Sequence, residues 1–345
     1  MRRRRKLLPI LFGFLLFAAA ITLAVVLRKH APPEPARLLP GADGYLYVNL
    51  KWIRRAKIAG QMPDVPHDPE YEQFIQATGF QFERDLEQAA FAIHYPPAKP
   101  GAQAPSGPPR YSEIFVGKIE GQRLRDYLGK ISASVENYNS IDIYSIPLEG
   151  RTLRVAILGF DTVAASNHDD PRVIRGIVDR SRKLASPFGG PALLRRYYKY
   201  IPLASLGWAI FNVDPVGTLP ARSALSFLFT KSATVVASAR YLGRVHFQAE
   251  AFTGSNDEAQ RLSEQLGTFL QLFHSSEGTV SMPANDPDVK AFFDGLKVQQ
   301  HGNRAVLTAA IPPGFIRKAV AAPPGEALPE LAHPAMPPAG KKGNK

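Results

Sequence analysis

TVVASARYLGRVHFQAEAFTGSNDEAQRLSEQLGTFLQLF, residues 234–273, decides the class of fold. Thr234 to Arg240 and Arg244 to Phe252 are rich in β-branched and aromatic residues and flank Gly243, which predicts a two-stranded hairpin. Ser255-Asn256-Asp257-Glu258 follows as a capping box. Its hydroxyl and carboxylate satisfy two backbone amides that the first helical turn leaves without partners. Behind it Ala259, Leu262, Leu266, Phe269, Leu270 and Phe273 fall on one helical face. Antiparallel strands leading into an amphipathic helix point to α+β rather than to a doubly wound parallel sheet.

The same grammar extends in both directions. Val298 to His301 and Arg304 to Ile311 surround Gly302-Asn303 as a further hairpin. Towards the N-terminus, Tyr45 to Leu50, Ala89 to Tyr95 and Ser112 to Ile119 read as strands. Leu124, Tyr127, Leu128 and Ile131 then mark a helix by their spacing, and Ile141 to Ile146 and Thr152 to Leu158 form a hairpin about Glu149-Gly150. Asp68-Pro69, Asp170-Pro171 and Asp286-Pro287 each open a helix, the Asp accepting from free amides and the Pro presetting φ. Thr162 to Ser166 (TVAAS) and Thr234 to Ser238 (TVVAS) echo one another, too briefly to establish a duplication. The expected class is α+β: an N-terminal transmembrane helix, then two α/β-sandwich halves with antiparallel hairpins, comparable with two ferredoxin-like units.

Residues 7–27, LLPILFGFLLFAAAITLAVVL, carry no charge and as a helix span the ~30 Å of a bilayer core at ~1.5 Å per residue. Five basic residues precede the run, so the positive-inside rule leaves residues 1–6 in the cytoplasm and exports the rest, on the periplasmic side of a bacterial inner membrane. The competing reading is a cleaved signal peptide, because Ala18 and Ala20 make a small-x-small site after a shorter apolar stretch; the run continues past that site through Ile21 to Leu27, which favours an anchor. Beyond it the expected organisation is a Pro-rich stalk (28–40), a first α+β domain (41–185) with a mobile Pro-rich insertion (96–109), a boundary near SPFGGP (186–191), a second α+β domain (191–322) and a disordered basic tail (323–345).

Composition narrows the chemistry. The 345 residues contain no cysteine, which excludes disulfides and Cys-ligated metal. The net charge of +12 belongs to the ends: seven cations fall in residues 1–30 and three in the last five, leaving 32 positive against 30 negative residues between. An exported, nearly neutral body argues against nucleic acid as a partner. No His pair has metal-ligand spacing, and no P-loop, G-x-G-x-x-G, G-x-S-x-G or S-x-x-K occurs. No catalytic, cofactor-binding or metal-ligating residue is therefore assigned.

Four local features have the composition of a site. Asn167-His168-Asp169-Asp170 and His67-Asp68-Pro69-Glu70 have ligand-rich composition, but the helix caps at Asp170 and Asp68 account for them. Arg195-Arg196-Tyr197-Tyr198-Lys199-Tyr200 interleaves bases and aromatics; Leu193, Leu194, Tyr197 and Ile201 make it the buried stripe of a helix with outward cations. His246, Gln248 and Glu250 alternate with Val245, Phe247 and Ala249 and read as a solvated sheet face.

LLPGADGYLYVNL (38–50), FERDLEQAAFAIHY (82–95) and GLKVQQHGNRAVLTAAIPPGFI (295–316) resemble uncharacterised bacterial membrane-anchored exported proteins of the domain-of-unknown-function kind. That resemblance brings no activity or site residues. The layout is also similar to single-span envelope assembly proteins that hold ferredoxin-like domains beyond the inner membrane, an analogy of architecture. The leading expectation is a non-enzymatic anchored module that binds an envelope protein or another envelope component. The alternatives are an envelope hydrolase with a carboxylate pair drawn from Glu83, Asp85, Glu87 or Glu250, and a lipid-binding or lipid-transfer protein, which requires a large apolar cavity between helices and sheet.

Overall fold

The computed structural model describes residues 31–56, 67–96, 107–148, 150–182, 189–214, 228–276 and 287–314. The expected span at 7–27, most of the Pro-rich insertion, residues 183–188 of the boundary, Glu149, Asp286 and the tail at 323–345 lie outside them. Among the described residues no helix is long and apolar enough to cross a membrane.

The fold is α+β with one large antiparallel sheet. Its first seven strands are β1 (Gly44–Asn49), β2 (Leu86–His94), β3 (Arg110–Gly117), β4 (Ser134–Tyr138), β5 (Ile141–Leu148), β6 (Arg151–Ile157) and β7 (Thr162–Ser166). Five more follow: β8 (Ser205–Val213), β9 (Ala233–Tyr241), β10 (Val245–Phe252), β11 (Lys297–His301) and β12 (Arg304–Ile311). They pair in the order β11-β12-β10-β9-β8-β1-β2-β3-β7-β6-β5-β4. The halves do not build separate sheets, because β1 and β8 pair antiparallel from Gly44 opposite Phe211 to Val48 opposite Gly207. On either side of that seam the chain makes a three-strand meander, crosses by a helix and returns to the far edge of the third strand, β7 against β3 and β12 against β10. The TVAAS and TVVAS echo falls on β7 and β9, which hold different places in the two halves.

Helices α1 (Glu34–Leu38), α2 (Leu50–Arg55), α3 (Pro69–Thr78), α4 (Phe82–Asp85) and α5 (Gly121–Ile131) belong to the first half, with α6 (Arg172–Arg182) and α7 (Ala192–Tyr197) leading to the second. Helices α8 (Asn256–Ser276) and α9 (Pro287–Asp294) complete the set. The expected stalk at 28–40 is corrected by α1: Ala36, Leu38 and Leu39 are buried in the main core, because Pro35 presets the first turn and the apolar end of ARLL packs inward. Leu50, expected to end a strand, instead opens α2, where the Asn49 side chain accepts from the Trp52 amide at 3.0 Å.

Each sheet face has its own core, since residues two apart on a strand share a face. Tyr45, Tyr47, Ile114, Trp208 and Ile210 meet Ile174, Ile177 and Leu194 of α6 and α7 on one side. On the other, α5 covers Tyr144, Val155, Val163 and Ala165, while α8 lays Leu262 over Val213, Val235 and Ala305. The α8 cap forms with a shift. Ser255 Oγ accepts from the Glu258 amide at 3.3 Å, and the Glu258 carboxylate accepts from Gly254 at 3.1 Å. Leu266, expected mid-stripe, is only partly buried. Leu266→Ala is therefore expected to cost about 1–2 kcal/mol, Ser255→Ala about 1, and exposed Gln265→Ala well under 1. Urea titration of a fragment beginning at residue 31 checks the order; a Gln265→Ala loss equal to that of Leu266→Ala would refute the helical phase.

Candidate apolar groove

Strand β3 has two different faces. Ser112 and Ile114 are fully buried in the main core, whereas Glu113 and Phe115 point to the face covered by α3 and α5. Helix α3 ends at Gly79, whose φ of 74° is the left-handed conformation that glycine adopts without penalty, and the turn sends Phe80 and Phe82 back under Phe74. Phe74 stacks on Phe82 at 5.8 Å and meets Tyr127 of α5 edge-on at 5.4 Å. The aromatic rings thus join the two helices, and Arg123 of α5 adds hydrogen bonds to the Gln76 and Ala77 carbonyls at the end of α3. Between these rings and the sheet lies a cavity of about 340 Å³, lined mainly by apolar side chains including Phe115, Leu128, Ile146, Leu153 and Val163. A more polar, open mouth adjoins it at Thr78, Ile119 and Glu120 and extends to Phe160 and Asp161. Gly117 shapes that mouth: a Cβ there would lie 2.5 Å from the Asp85 carbonyl oxygen, so β3 and α4 meet at van der Waals distance only through glycine.

Glu113 is the one acid of the sheet floor in this cavity. It makes no hydrogen bond or ion pair among the described residues. Burial pushes its pKa above the usual carboxylate value. The folded state then binds a proton more tightly than the unfolded chain, so stability falls as pH rises from the ordinary carboxylate pKa through the raised one. Glu113→Gln is expected to remove that decline while leaving stability at low pH nearly unchanged; parallel urea titrations from pH 4 to 8 decide it, and identical slopes for both proteins would refute it.

The four carboxylates expected as candidates for a catalytic pair are each held by another partner. Glu83 accepts from Tyr71 Oη at 2.8 Å and faces His67 Nε2 at 3.4 Å; burial raises its pKa, but hydrogen bonds and the His67 charge outweigh that and leave it lowered. The Arg84 guanidinium, 2.6 Å from Asp85, holds the Asp85 pKa below its usual value against the effect of burial. Glu87 pairs with Lys51 at 2.7 Å, and Glu250 pairs with Arg304 at 2.8 Å in the other half. The lowered values at Glu83 and Asp85 are the reverse of what a general acid requires. Glu250 also corrects the expected solvated face: it is buried, because α7 and the 3₁₀ turn Tyr198–Tyr200 fold over that end of β10.

Asn167 to Asp170 are consumed by local structure. Asn167 accepts from the Tyr111 amide at 2.7 Å, His168 Nδ1 from the Asp170 amide at 3.1 Å, and Asp170 from the Arg172 amide at 2.9 Å. Asp169 pairs with Arg110 at 2.9 Å. Asp68 likewise accepts from the Tyr71 amide, and His67 bonds to Glu72 at 2.7 Å. No group of three His, Asp or Glu among the described residues is arranged to hold a metal. In the basic–aromatic stretch Leu194 and Ile201 are buried, with Arg196 over Tyr197 at 5.3 Å and Lys199 over Tyr200 at 5.1 Å.

One Ser–His contact leaves no mark in the sequence, because its members lie on different strands. His94 Nε2 lies 3.2 Å from Ser112 Oγ, which lies 3.0 Å from Ser166 Oγ. Ser112 is completely buried, so no substrate reaches it. Burial, reinforced by the neighbouring His168, pushes the His94 pKa down to about 4 and keeps the ring neutral. The trio satisfies buried polar groups and is a structural chain.

No protein family matches the sequence, and no curated protein does. Three solved structures are similar in outline, all crystal forms of a protein called TP0453. Form I shares 10% identity over 84% of this chain and 96% of that one, with a TM-score of 0.44; form III shares 10% over 83% and 97%, with a TM-score of 0.40. Likeness at that level assigns this chain neither a family nor an activity.

Proposed function

We propose that the protein is a membrane-anchored, exported binding module without catalysis, and that the envelope component it holds is the apolar chain of a lipid. One observation carries this reading: the 340 Å³ cavity between α3, α5 and the sheet has an almost wholly apolar lining. Cavities of that size bury most of a small apolar ligand or one acyl chain, and the gain follows the area removed from water. The cavity moves lipid binding ahead of an unspecified protein partner. The hydrolase loses ground because Glu83, Asp85, Glu87 and Glu250 each sit in their own pair.

The anchored topology rests on the uncharged run at 7–27 and the bases before it, with the body on the periplasmic side of a bacterial inner membrane. The kinship with uncharacterised exported proteins rests on the three stretches quoted above. The two halves are read as related units in that each layers a helix on its part of the sheet, but neither has the strand pairing of a ferredoxin-like unit. Their neighbouring strands all run antiparallel, whereas a βαβ crossing sets parallel strands in one sheet.

The test is photo-crosslinking of the full-length chain in its membrane with a diazirine-bearing fatty acid. Labelled peptides are expected from α5 and β3, and Leu153→Trp, which fills the partly buried lumen, is expected to abolish them. Labelling confined to residues outside the groove, or unaffected by Leu153→Trp, would overturn the reading.

A further inference from the structure

The three most exposed large apolar side chains among the described residues lie at one end of the sheet, while Val135 and Leu148, about half exposed, lie at the other. Antiparallel pairing places the end of β1, the start of β2, the end of β3 and the start of β7 at one end. The start of β8 and the β9–β10 turn lie at that same end. There Phe160 stands on the β6–β7 turn with 98% of its surface exposed, Leu242 on the β9–β10 turn with 63%, and Leu203 just before β8 with 52%. Trp52 of α2 and Phe82 of α4 are exposed beside them. A soluble surface gains nothing by holding a phenylalanine wholly in water, and apolar turn tips gathered at one end mark an interaction face.

Charge and chain direction say what the face meets. Arg55, Lys118 and Arg244 are exposed at this end and make no ion pair among the described residues, against one exposed acid without an ion pair, Asp161; Glu83, Asp85 and Glu87 there are each paired. Pro33, Glu34 and Leu38 line the same recess as Leu158 to Thr162 and Ser181, so the chain enters the fold beside Phe160. Only six steps separate Leu27, the last residue of the uncharged run, from Pro33. Fully extended, they reach at most about 20 Å.

We propose that this end of the sheet rests on the lipid surface of the membrane that anchors the chain, with Phe160 and Trp52 in the interfacial layer and the unpaired cations toward acidic headgroups. The anchor proposed above supplies the tether on which this inference rests. Aromatic rings partition to the headgroup level of a bilayer, and basic residues near its surface are attracted to anionic lipid. The mouth of the apolar groove reaches Phe160, so the docked face opens the groove toward the source of its ligand.

The test uses the full-length chain in vesicles of anionic phospholipid and phosphatidylcholine brominated near the headgroup end of its acyl chains. The protein has two tryptophans, exposed Trp52 and buried Trp208. Trp52→Phe leaves the buried one as background. Into it are placed Phe160→Trp and, as the control at the opposite end of the sheet, Leu148→Trp on the exposed β5–β6 hairpin. Bromolipid is expected to quench the residue-160 probe at least about twofold more than the residue-148 probe. Equal quenching of the two, or quenching of the residue-148 probe alone, would overturn the proposal. Carbonate extraction of the same vesicles reads the anchor separately, and acyl crosslinking reads the groove, so failure of either is distinguishable from failure of the docked face.

Discussion

Trp208→Ala is expected to destabilise the protein by about 3–5 kcal/mol, the range for deleting a large buried aromatic. Trp208 is 3% exposed on β8, at the seam where the halves join. It lies opposite Tyr47, stacks on it at 5.5 Å, and meets Tyr198 edge-on at 5.5 Å. Removing it leaves a void under both rings, and the antiparallel pair β1/β8 cannot close the void without breaking its register. The indole Nε1 is buried with no acceptor in reach among the described residues. Trp208→Phe discards that unpaired donor while keeping most of the ring, so its cost is expected near 1 kcal/mol. Urea midpoints for the two variants decide the matter. A Phe variant as damaging as the Ala variant would mean that Nε1 has a partner and that hydrogen bonding, not volume, sets the loss.

The seam was the least legible part of the sequence. SLGWAIFNV, the whole of β8, alternates poorly because its two faces enter different cores, Trp208 and Ile210 on one side and Phe211 and Val213 on the other. A strand buried on both faces loses the period that reveals a half-exposed one. The hairpins about Gly150, Gly243 and Gly302 were legible because each turn needs a positive φ, and glycine supplies it. The helix at Gly121–Ile131 announced itself by spacing alone. The groove could not be read in the same way. Phe74, Phe115, Tyr127 and Val163 are remote in sequence and meet only through the packing of α3 and α5 on the sheet. Its one local sign was Glu113-Ile114-Phe115, an acid and an aromatic on the same strand face, which by itself describes many half-exposed strands.

Glu250 was misread for a related reason, and its partner gives the second large effect. Arg304→Ala is expected to cost about 3 kcal/mol. The carboxylate is 6% exposed on β10, accepting from Arg304 Nη1 at 2.8 Å and from Gln248 Nε2 at 2.7 Å. The guanidinium also lies over Tyr200 at 5.3 Å and Phe252 at 5.7 Å. Taking Arg304 away leaves a buried charge with one neutral donor, and breaking such a pair from one side is far more costly than replacing both partners. Water entering the vacated space moderates the loss, because the Arg304 side chain is about one-third exposed at 32%. Glu250→Leu with Arg304→Leu is therefore expected to cost less than half as much as Arg304→Ala alone. Arg304→Lys falls between, since an ammonium keeps the charge but not the planar contact with two rings. Urea titrations of the three variants separate the terms. If Arg304→Ala costs under about 1 kcal/mol, the carboxylate is solvated and the solvated-face reading of β10 returns; if the double leucine variant costs as much as Arg304→Ala, the pair itself stabilises the fold and desolvation is the smaller term.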